Sequence, residues 1–411
     1  MAVIKVAIAG LSSKAATSWA SRAHLPYLLS PRGRAHYEIV ALLNSSEDAA
    51  RAAIAHYDLP ATTRAYGDPA VLAADIAAGT LDVNLVTIAT RVDVHYPTLL
   101  PSLQAVAKKA TAAAPFGVLV EWPLADNLAH IRELADLAAS NPQGIRTAVG
   151  LQGRLSPVYL AVREVVASGR LGTVLSSEVR AFGGSQRADA VPVKLGYFLD
   201  RSIGGNVYTI GFGHLIDSTQ YVLGELQDVQ PQFQLQYPKV KLVEQKEGGG
   251  ETVVDTIRSD VPDLITVVSR LTPAASPPSV PLRDGGATLQ ARFRRGAPFP
   301  GETAYTWSIY GDKAELRLAA AGGPGIQAYG GGTPDGPDAI TLTLHDHVTG
   351  DVTTVPWHWA DWQKYLDSVP SRNIGALYEA YAEGREADYV TFADALARHE
   401  QLEAWLQAFK E

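Results

Sequence analysis

Apolar and polar positions follow a repeating order along the first 150 residues. A continuous apolar run at 3–9 is of the kind buried on both faces of a parallel sheet. A turn of small residues over 10–17 follows, then a helix through His24 to Leu29. Strand patterns recur at 38–43, 81–89, 118–120 and 146–150, with helical patterns at 47–57, 98–112 and 126–139 between them. Strands alternating with helices at this spacing predict βαβ units, hence an α/β fold with a doubly wound parallel sheet over 1–150. After Gln152-Gly153-Arg154 the pattern changes. One helix at 156–168 precedes glycine-punctuated strand signals at 173–182, 229–237, 264–271, 287–294, 303–310, 314–319 and 339–344. Residues 151–411 are expected to form an α+β domain with a mostly antiparallel, open sheet. Segments 247–250 and 322–336 are rich in glycine and proline and read as surface loops. From about 373 the chain is helical, and Leu396, Leu402, Trp405, Leu406 and Phe409 give it an apolar face expected to pack on the body of the protein.

Composition narrows the function classes. The 411 residues are 46% hydrophobic and 19% charged, as in an ordinary globular protein of two or three domains. A net charge of -8 and the lack of a basic run argue against nucleic-acid or anionic-membrane partners. With no cysteine, disulfides, thiolate metal sites and cysteine nucleophiles are excluded. The apolar run at the start is too short for a signal peptide, and no run reaches the roughly 18 residues of a membrane span. A cytoplasmic protein is expected. His345-Asp346-His347 has the look of metal ligands but no third ligand, and no metal is expected. Trp357, Trp359 and Trp362 read as packing.

A strand ending in glycine, then a tight turn and a helix, meets the physical need of a dinucleotide pyrophosphate: backbone N–H groups and close approach. Here Gly10-Leu11-Ser12-Ser13-Lys14-Ala15-Ala16-Thr17 keeps only the first glycine of the usual fingerprint. Gly10, Ser12, Ser13 and Thr17 are the candidate contacts, with hydroxyl donors in place of lost backbone ones. The second strand ends in Asn44-Ser45-Ser46, where NAD sites usually carry a carboxylate for the ribose. A neutral end removes repulsion against a 2′-phosphate, so NADP(H) is expected to be preferred, with NAD(H) possible. Arg51 and Arg64 are either phosphate partners or plain surface charges.

These features, with the segment 118–123 ending in Glu121-Trp122-Pro123, resemble the Gfo/Idh/MocA oxidoreductase family over nearly the whole chain. The family combines an N-terminal Rossmann domain with a C-terminal α/β domain bearing an open antiparallel sheet. A closer likeness is to its branch with the fungal galactose-pathway regulatory protein. It rests on Gly10-Leu11 through Trp19, His24-Leu25-Pro26, Val120-Glu121-Trp122, residues 151–157, Phe212-Gly213-His214 and Val261-Pro262-Asp263. The resemblance implies that Thr90, Arg91 and His95 lie along the cofactor, together with Glu121 and Trp122. In the family a lysine stands where Trp122 is and an aspartate where Ile210 is, so two of the usual three proton-handling groups are absent. His214 remains as the candidate acid or base, with Tyr208 as a second donor or a packed aromatic. Arg154, Lys194, Tyr197 and Asp200 are candidate substrate contacts, and an interdomain salt bridge is an equal reading of Arg154.

Two functions follow from the resemblance. One is an NADP(H)-dependent oxidoreductase moving hydride to or from a small carbonyl, imine, enone or sugar-like substrate without the lysine. The other is a nonenzymatic NAD(P)-binding regulatory protein that contacts a transcription regulator. The family also implies a homodimer through the C-terminal sheet.

Overall fold

The computed structural model describes residues 3–14, 18–184, 187–246, 249–273, 280–328 and 339–410. The chain divides into two compact units. Met1–Gln152 with Ala360–Glu400 make the first, and Gly153–Trp359 with Gln401–Glu411 make the second.

The first unit opens with strand β1 (Ile4–Ala9), followed by helices α1 (Leu25–Leu29) and α2 (Pro31–His36), strand β2 (Tyr37–Leu43) and helix α3 (Glu47–His56). Strand β3 (Arg64–Tyr66), helix α4 (Pro69–Ala78), strand β4 (Leu85–Ile88), helix α5 (His95–Ala107), strand β5 (Phe116–Val120), helix α6 (Leu128–Ala139) and strand β6 (Ile145–Val149) complete its first stretch. All six strands pair in parallel in the order β3-β2-β1-β4-β5-β6, that of a dinucleotide-binding Rossmann sheet. β4 and β5 are buried at every position, as strands covered by helices on both faces must be. Helix starts follow local chemistry: Ser46, Asp68 and Asn127 each accept a backbone N–H at a helix N-terminus.

The second unit contains helix α7 (Pro157–Ala167), strands β7 (Val174–Gly183) and β8 (Ala190–Pro192), and helix α8 (Gly213–Leu223). Strands β9 (Glu225–Gln234), β10 (Lys239–Gln245), β11 (Glu251–Arg258), β12 (Leu264–Thr272) and β13 (Ala287–Arg295) follow. They are followed by β14 (Tyr305–Gly311), β15 (Ala314–Ala320), β16 (Ile340–Asp346) and β17 (Val352–Thr354). Eight of these form one sheet in the order β17-β16-β15-β14-β7-β13-β12-β9, antiparallel except for the β7–β13 pair. Strict alternation in β13 buries Ala287, Leu289, Ala291 and Phe293 on one face. β8, β10 and β11 make a separate small sheet over Val191, Leu199 and Val240.

The chain then returns to the first unit with α9 (Asp361–Lys364) and α10 (Val369–Ala382); α11 (Phe392–Leu406) runs from it into the second. Sequence patterning places everything after 151 in one C-terminal domain, whereas the contacts group Ala360–Glu400 with the Rossmann sheet. The return is built from specific bonds: Val149 N–H donates to the Val390 carbonyl at 2.8 Å, and the Tyr37 hydroxyl to the Tyr378 carbonyl at 2.6 Å. Among the described residues no helix is long and apolar enough to cross a membrane.

Candidate functional site

The carboxyl ends of β1, β2 and β4 enclose a cleft of about 390 Å³. Gly10, Ser12, Asn44, Ser45 and Thr90 line it, with Ala49, Gly67 and Thr98 among the others. Five residues singled out in the sequence are thus brought together. Gly10 has φ +95°, and a Cβ there would lie 2.7 Å from the Ala89 carbonyl oxygen, so only glycine fits. The Asn44 amide donates to the carbonyls of Leu11 at 2.8 Å and Ala49 at 3.3 Å, which leaves its oxygen as an acceptor at the cleft. The Ser46 hydroxyl caps α3 by accepting the Ala49 N–H. Ser13 is half-buried and does not line the cleft; Thr17 lies outside the described residues. Arg51 pairs with Glu47 and Arg64 with Asp75, both on the surface.

Arg91 makes a two-bond fork to Asp93 at 2.6 and 2.5 Å, so its charge is matched within its own turn. His95 is buried at the start of α5, its ring nitrogens 3.0 Å from the Pro123 and Thr90 carbonyl oxygens. Burial pushes its pKa down, and each carbonyl accepts from the ring only where the facing nitrogen carries a proton. It ties the turn after β4 to the turn after β5, a structural role.

Glu121-Trp122-Pro123, with a cis Trp122–Pro123 bond, is held from behind. His24 places Nε2 2.8 Å from Glu121 Oε1 and Nδ1 2.9 Å from the Tyr378 hydroxyl, itself 3.3 Å from Thr87 Oγ1. A carboxylate only accepts, so Nε2 carries a proton and donates it to Glu121, while Nδ1 and the Tyr378 hydroxyl share the second hydrogen bond. A Cβ at residue 150 would sit 2.5 Å from Glu121 Oε2, so Gly150 leaves room for the carboxylate. Trp122 is 5% exposed and its indole stacks on His399 of α11, ring centroids 4.1 Å apart. The Leu124 N–H donates to His399 Nε2 at 3.2 Å. Trp122, which the resemblance sets along the cofactor, stands in a buried stack. His24, Tyr378 and His399 are the site residues that sequence reasoning did not assign. Only the His24-Leu25-Pro26 likeness hinted at one of them.

In the second unit, Asn206 caps a widened helical turn at Val207–Phe212 that leads into α8. His214 lies half-buried in the first turn of α8. Tyr208 is packed between Phe212 and Phe233, and its hydroxyl donates to the Leu402 carbonyl at 2.6 Å. Burial raises its pKa well above the ordinary phenol value, so it does not release a proton near neutrality. The packed reading therefore replaces the donor role. Arg154 forks onto Asp217 at 3.1 and 2.7 Å, with Asp217 1% exposed. A buried carboxylate takes its charge, and both partners lie in the second unit, which corrects the interdomain alternative for this pair. Lys194 and Asp200 are exposed and Tyr197 half-buried, all at one short helical turn, Val193–Leu199, and its end. Asp200 accepts from the Ser202 N–H and hydroxyl. Trp357 and Trp359 pack edge to face in the second unit, and Trp362 packs on Tyr27 in the first. Among the described residues no acidic or histidine group is arranged to hold a metal.

Comparison with known proteins agrees with this architecture. Residues 4–148 match the oxidoreductase family with an NAD-binding Rossmann fold, and residues 157–320 match the Gal80p C-terminal domain. Dehydrogenase aclE of Aspergillus oryzae is 27% identical over 98% of this chain and 96% of its own. The galactose/lactose metabolism regulatory protein GAL80 of Saccharomyces cerevisiae is 25% identical over 78% of this chain and 68% of its own. The fold of a super-repressor mutant of Gal80p from the same yeast superposes with a TM-score of 0.79 at 22% identity, covering 98% of this chain and 95% of that one. Levoglucosan dehydrogenase in complex with NADH and levoglucosan shares the fold at a TM-score of 0.68 and 15% identity, over 99% and 97% of the two chains. With its sheet order, its cleft and both matched segments, the chain is similar to the Gfo/Idh/MocA oxidoreductase family over residues 4–148 and to the Gal80 regulators over residues 157–320.

Proposed function

We propose that this protein is an NADP(H)-preferring oxidoreductase acting on a small carbonyl, imine, enone or sugar-like substrate. The observation that carries it is the cleft at the strand ends, where Gly10, Ser12, Asn44, Ser45 and Thr90 converge. The bound nicotinamide would supply the hydride donor or acceptor. Gly10 lets a pyrophosphate approach the backbone, and Ser12 offers a hydroxyl beside it. Asn44 presents an acceptor to a ribose hydroxyl. No carboxylate stands at the end of β2 to repel a 2′-phosphate, and Arg51 is the nearest cation in sequence. Its present partner, Glu47, is a surface i,i+4 neighbour worth only about 0.3–0.5 kcal/mol, so exchanging it for a phosphate costs little. His214 is the group proposed to move the substrate proton, since imidazole exchanges protons near neutrality.

A second reading has its own support. Trp122 is buried against His399 and cannot move a proton, and both a dehydrogenase and the Gal80 regulators are relatives. A regulator that binds the dinucleotide as a ligand and contacts a transcription regulator needs no acid or base there. Fluorescence titration of the full chain with NADPH and NADH tests the shared part, and tighter NADPH binding that Arg51→Ala weakens is expected. If neither nucleotide binds, both readings fail. Turnover of a carbonyl, imine or sugar by the loaded protein selects the enzyme; nucleotide binding with partner capture and no turnover selects the regulator. The cytoplasmic location belongs to the same proposal and is tested by fractionation.

A further inference from the structure

The loop after β1 is poor in glycine for a turn that approaches a pyrophosphate. In Gly10-Leu11-Ser12-Ser13-Lys14 only the first residue is glycine. Among the described non-glycine residues only Asp58 and Asp228 have a positive φ, so Leu11 to Lys14 hold ordinary backbone. A glycine-rich loop owes its shape to its own conformational freedom. A loop of leucine, serine and lysine has to be set by its neighbours.

The neighbours that set it are side chains at the two ends of the β2–α3 segment. Asn44, just after β2, donates its amide to the Leu11 carbonyl at 2.8 Å. The same amide reaches the Ala49 carbonyl of α3 at 3.3 Å, which fixes its own position. Tyr57, the residue that closes α3, donates its hydroxyl to the Ser12 carbonyl at 2.8 Å. Two consecutive loop carbonyls are thus tied to residues 33 and 45 positions further along the chain. The Gly10 N–H donates to the Leu43 carbonyl at 3.0 Å and fixes the start of the loop. Ser12 Oγ accepts the Lys14 N–H at 3.2 Å.

In a trans peptide the N–H points opposite to the C=O. The Leu11 carbonyl held by Asn44 therefore turns the Ser12 N–H away from Asn44. The Ser12 carbonyl held by Tyr57 turns the Ser13 N–H away from Tyr57. Backbone N–H groups held in a fixed direction are what an anion at such a turn needs. Asn44 lines the cleft, whereas Tyr57 is half-buried and is not among the lining residues.

We propose that Tyr57 is a positioning residue for dinucleotide binding, a role that rests on the reading of the Gly10 cleft as the dinucleotide site. By holding the Ser12 carbonyl it sets the Ser13 N–H for the pyrophosphate before the ligand arrives. It does the work of a missing glycine fingerprint from behind the loop. Tyr57 acts on the cost of ordering the loop, not on the ligand itself. The pyrophosphate is common to NADPH and NADH, so the effect is the same for both.

The test is fluorescence titration of the full chain and of Tyr57→Phe with NADPH and with NADH. Phenylalanine keeps the ring and removes one hydroxyl, and a thermal midpoint checks that the variant is folded. One neutral hydrogen bond corresponds to about threefold to tenfold in a dissociation constant, and both nucleotides should weaken by one common factor in that range. Adenosine, which has no pyrophosphate, should bind both proteins equally in ligand-observed NMR. A lower midpoint with unchanged nucleotide affinity makes the Tyr57 bond structural only and overturns the proposal. A loss confined to NADPH, which places the effect at the 2′-phosphate, overturns it too, as does an equal loss for adenosine, which means a loosened cleft. Wild type that binds neither nucleotide overturns the reading of the cleft together with this role. Wild-type binding that Tyr57→Phe leaves intact overturns this role alone.

Discussion

His399 offers a sharp test of how the Glu121-Trp122-Pro123 turn is held. Its ring is 8% exposed, stacked on Trp122, and accepts the Leu124 N–H. An imidazole nitrogen accepts only while unprotonated, so the geometry requires a neutral ring. Burial accordingly lowers its pKa from 6.5 to about 3. The sign follows from proton linkage. Below pH 6.5 the unfolded chain takes up a proton that the folded chain refuses. The stability tied to this residue is therefore complete above pH 6.5 and lost as the pH falls toward 3. The loss runs at about 1.4 kcal/mol per pH unit, or on the order of 2 kcal/mol at pH 5. His399→Gln keeps an acceptor for Leu124 but cannot titrate. Urea unfolding of both proteins between pH 8 and 5 should give a difference in stability that shrinks by that slope as the pH falls. His95, whose pKa burial also lowers, titrates alike in both proteins and cancels. Parallel curves for the two proteins would refute the reasoning, as would a His399 imidazole NMR signal that titrates near 6.5 in the folded protein.

Substitutions at four further sites have expected outcomes. Gly10→Ala places a Cβ 2.7 Å from the Ala89 oxygen at a positive φ, so dinucleotide binding measured by fluorescence should be lost, with about 1–3 kcal/mol of stability. His24→Ala leaves the Glu121 carboxylate and the Tyr378 hydroxyl buried without their partner and should cost about 3–5 kcal/mol in urea unfolding, part of it regained by His24→Gln. Tyr208→Phe removes the bond to the Leu402 carbonyl and should lower stability by about 1 kcal/mol without changing turnover, whereas His214→Ala should lower kcat about 100-fold or more.

Most of the sheet architecture was legible because its strands carry their burial in sequence. β4, apolar but for Thr87, and β5 are buried throughout, and β13 alternates without a slip. β11 was not legible from burial: it is exposed at nearly every position, so no apolar period marks it, and only its β-branched Thr252, Val253, Val254, Thr256 and Ile257 signal a strand. The return of the chain to the first unit was also hidden. An apolar helix face records that it packs, not on what, and Tyr378 meets His24 across 354 residues of sequence. At the cleft, turn chemistry alone pointed to Gly10, Asn44 and Ser45, because backbone approach and strand ends are local properties. The roles of Tyr208 and Arg154 depended on partners, Leu402 and Asp217, that lie 194 and 63 residues away.

The same distinction bears on what replaced the family's lysine. A lysine needs an open path to the substrate and a polar setting for its ammonium group. The turn here has neither: Trp122 is closed over by His399, and Glu121 is bound to His24, with Gly150 leaving room for the carboxylate. These contacts come from α11, from the residues just before α1 and from the end of β6, so the turn is held by three other parts of the first unit. A lone loss of lysine could leave the neighbouring carboxylate unpaired, whereas Glu121 is bound to His24. The turn has been rebuilt as interior, and any proton that accompanies hydride transfer must be handled by groups other than this one, with His214 of the second unit as the proposed handler.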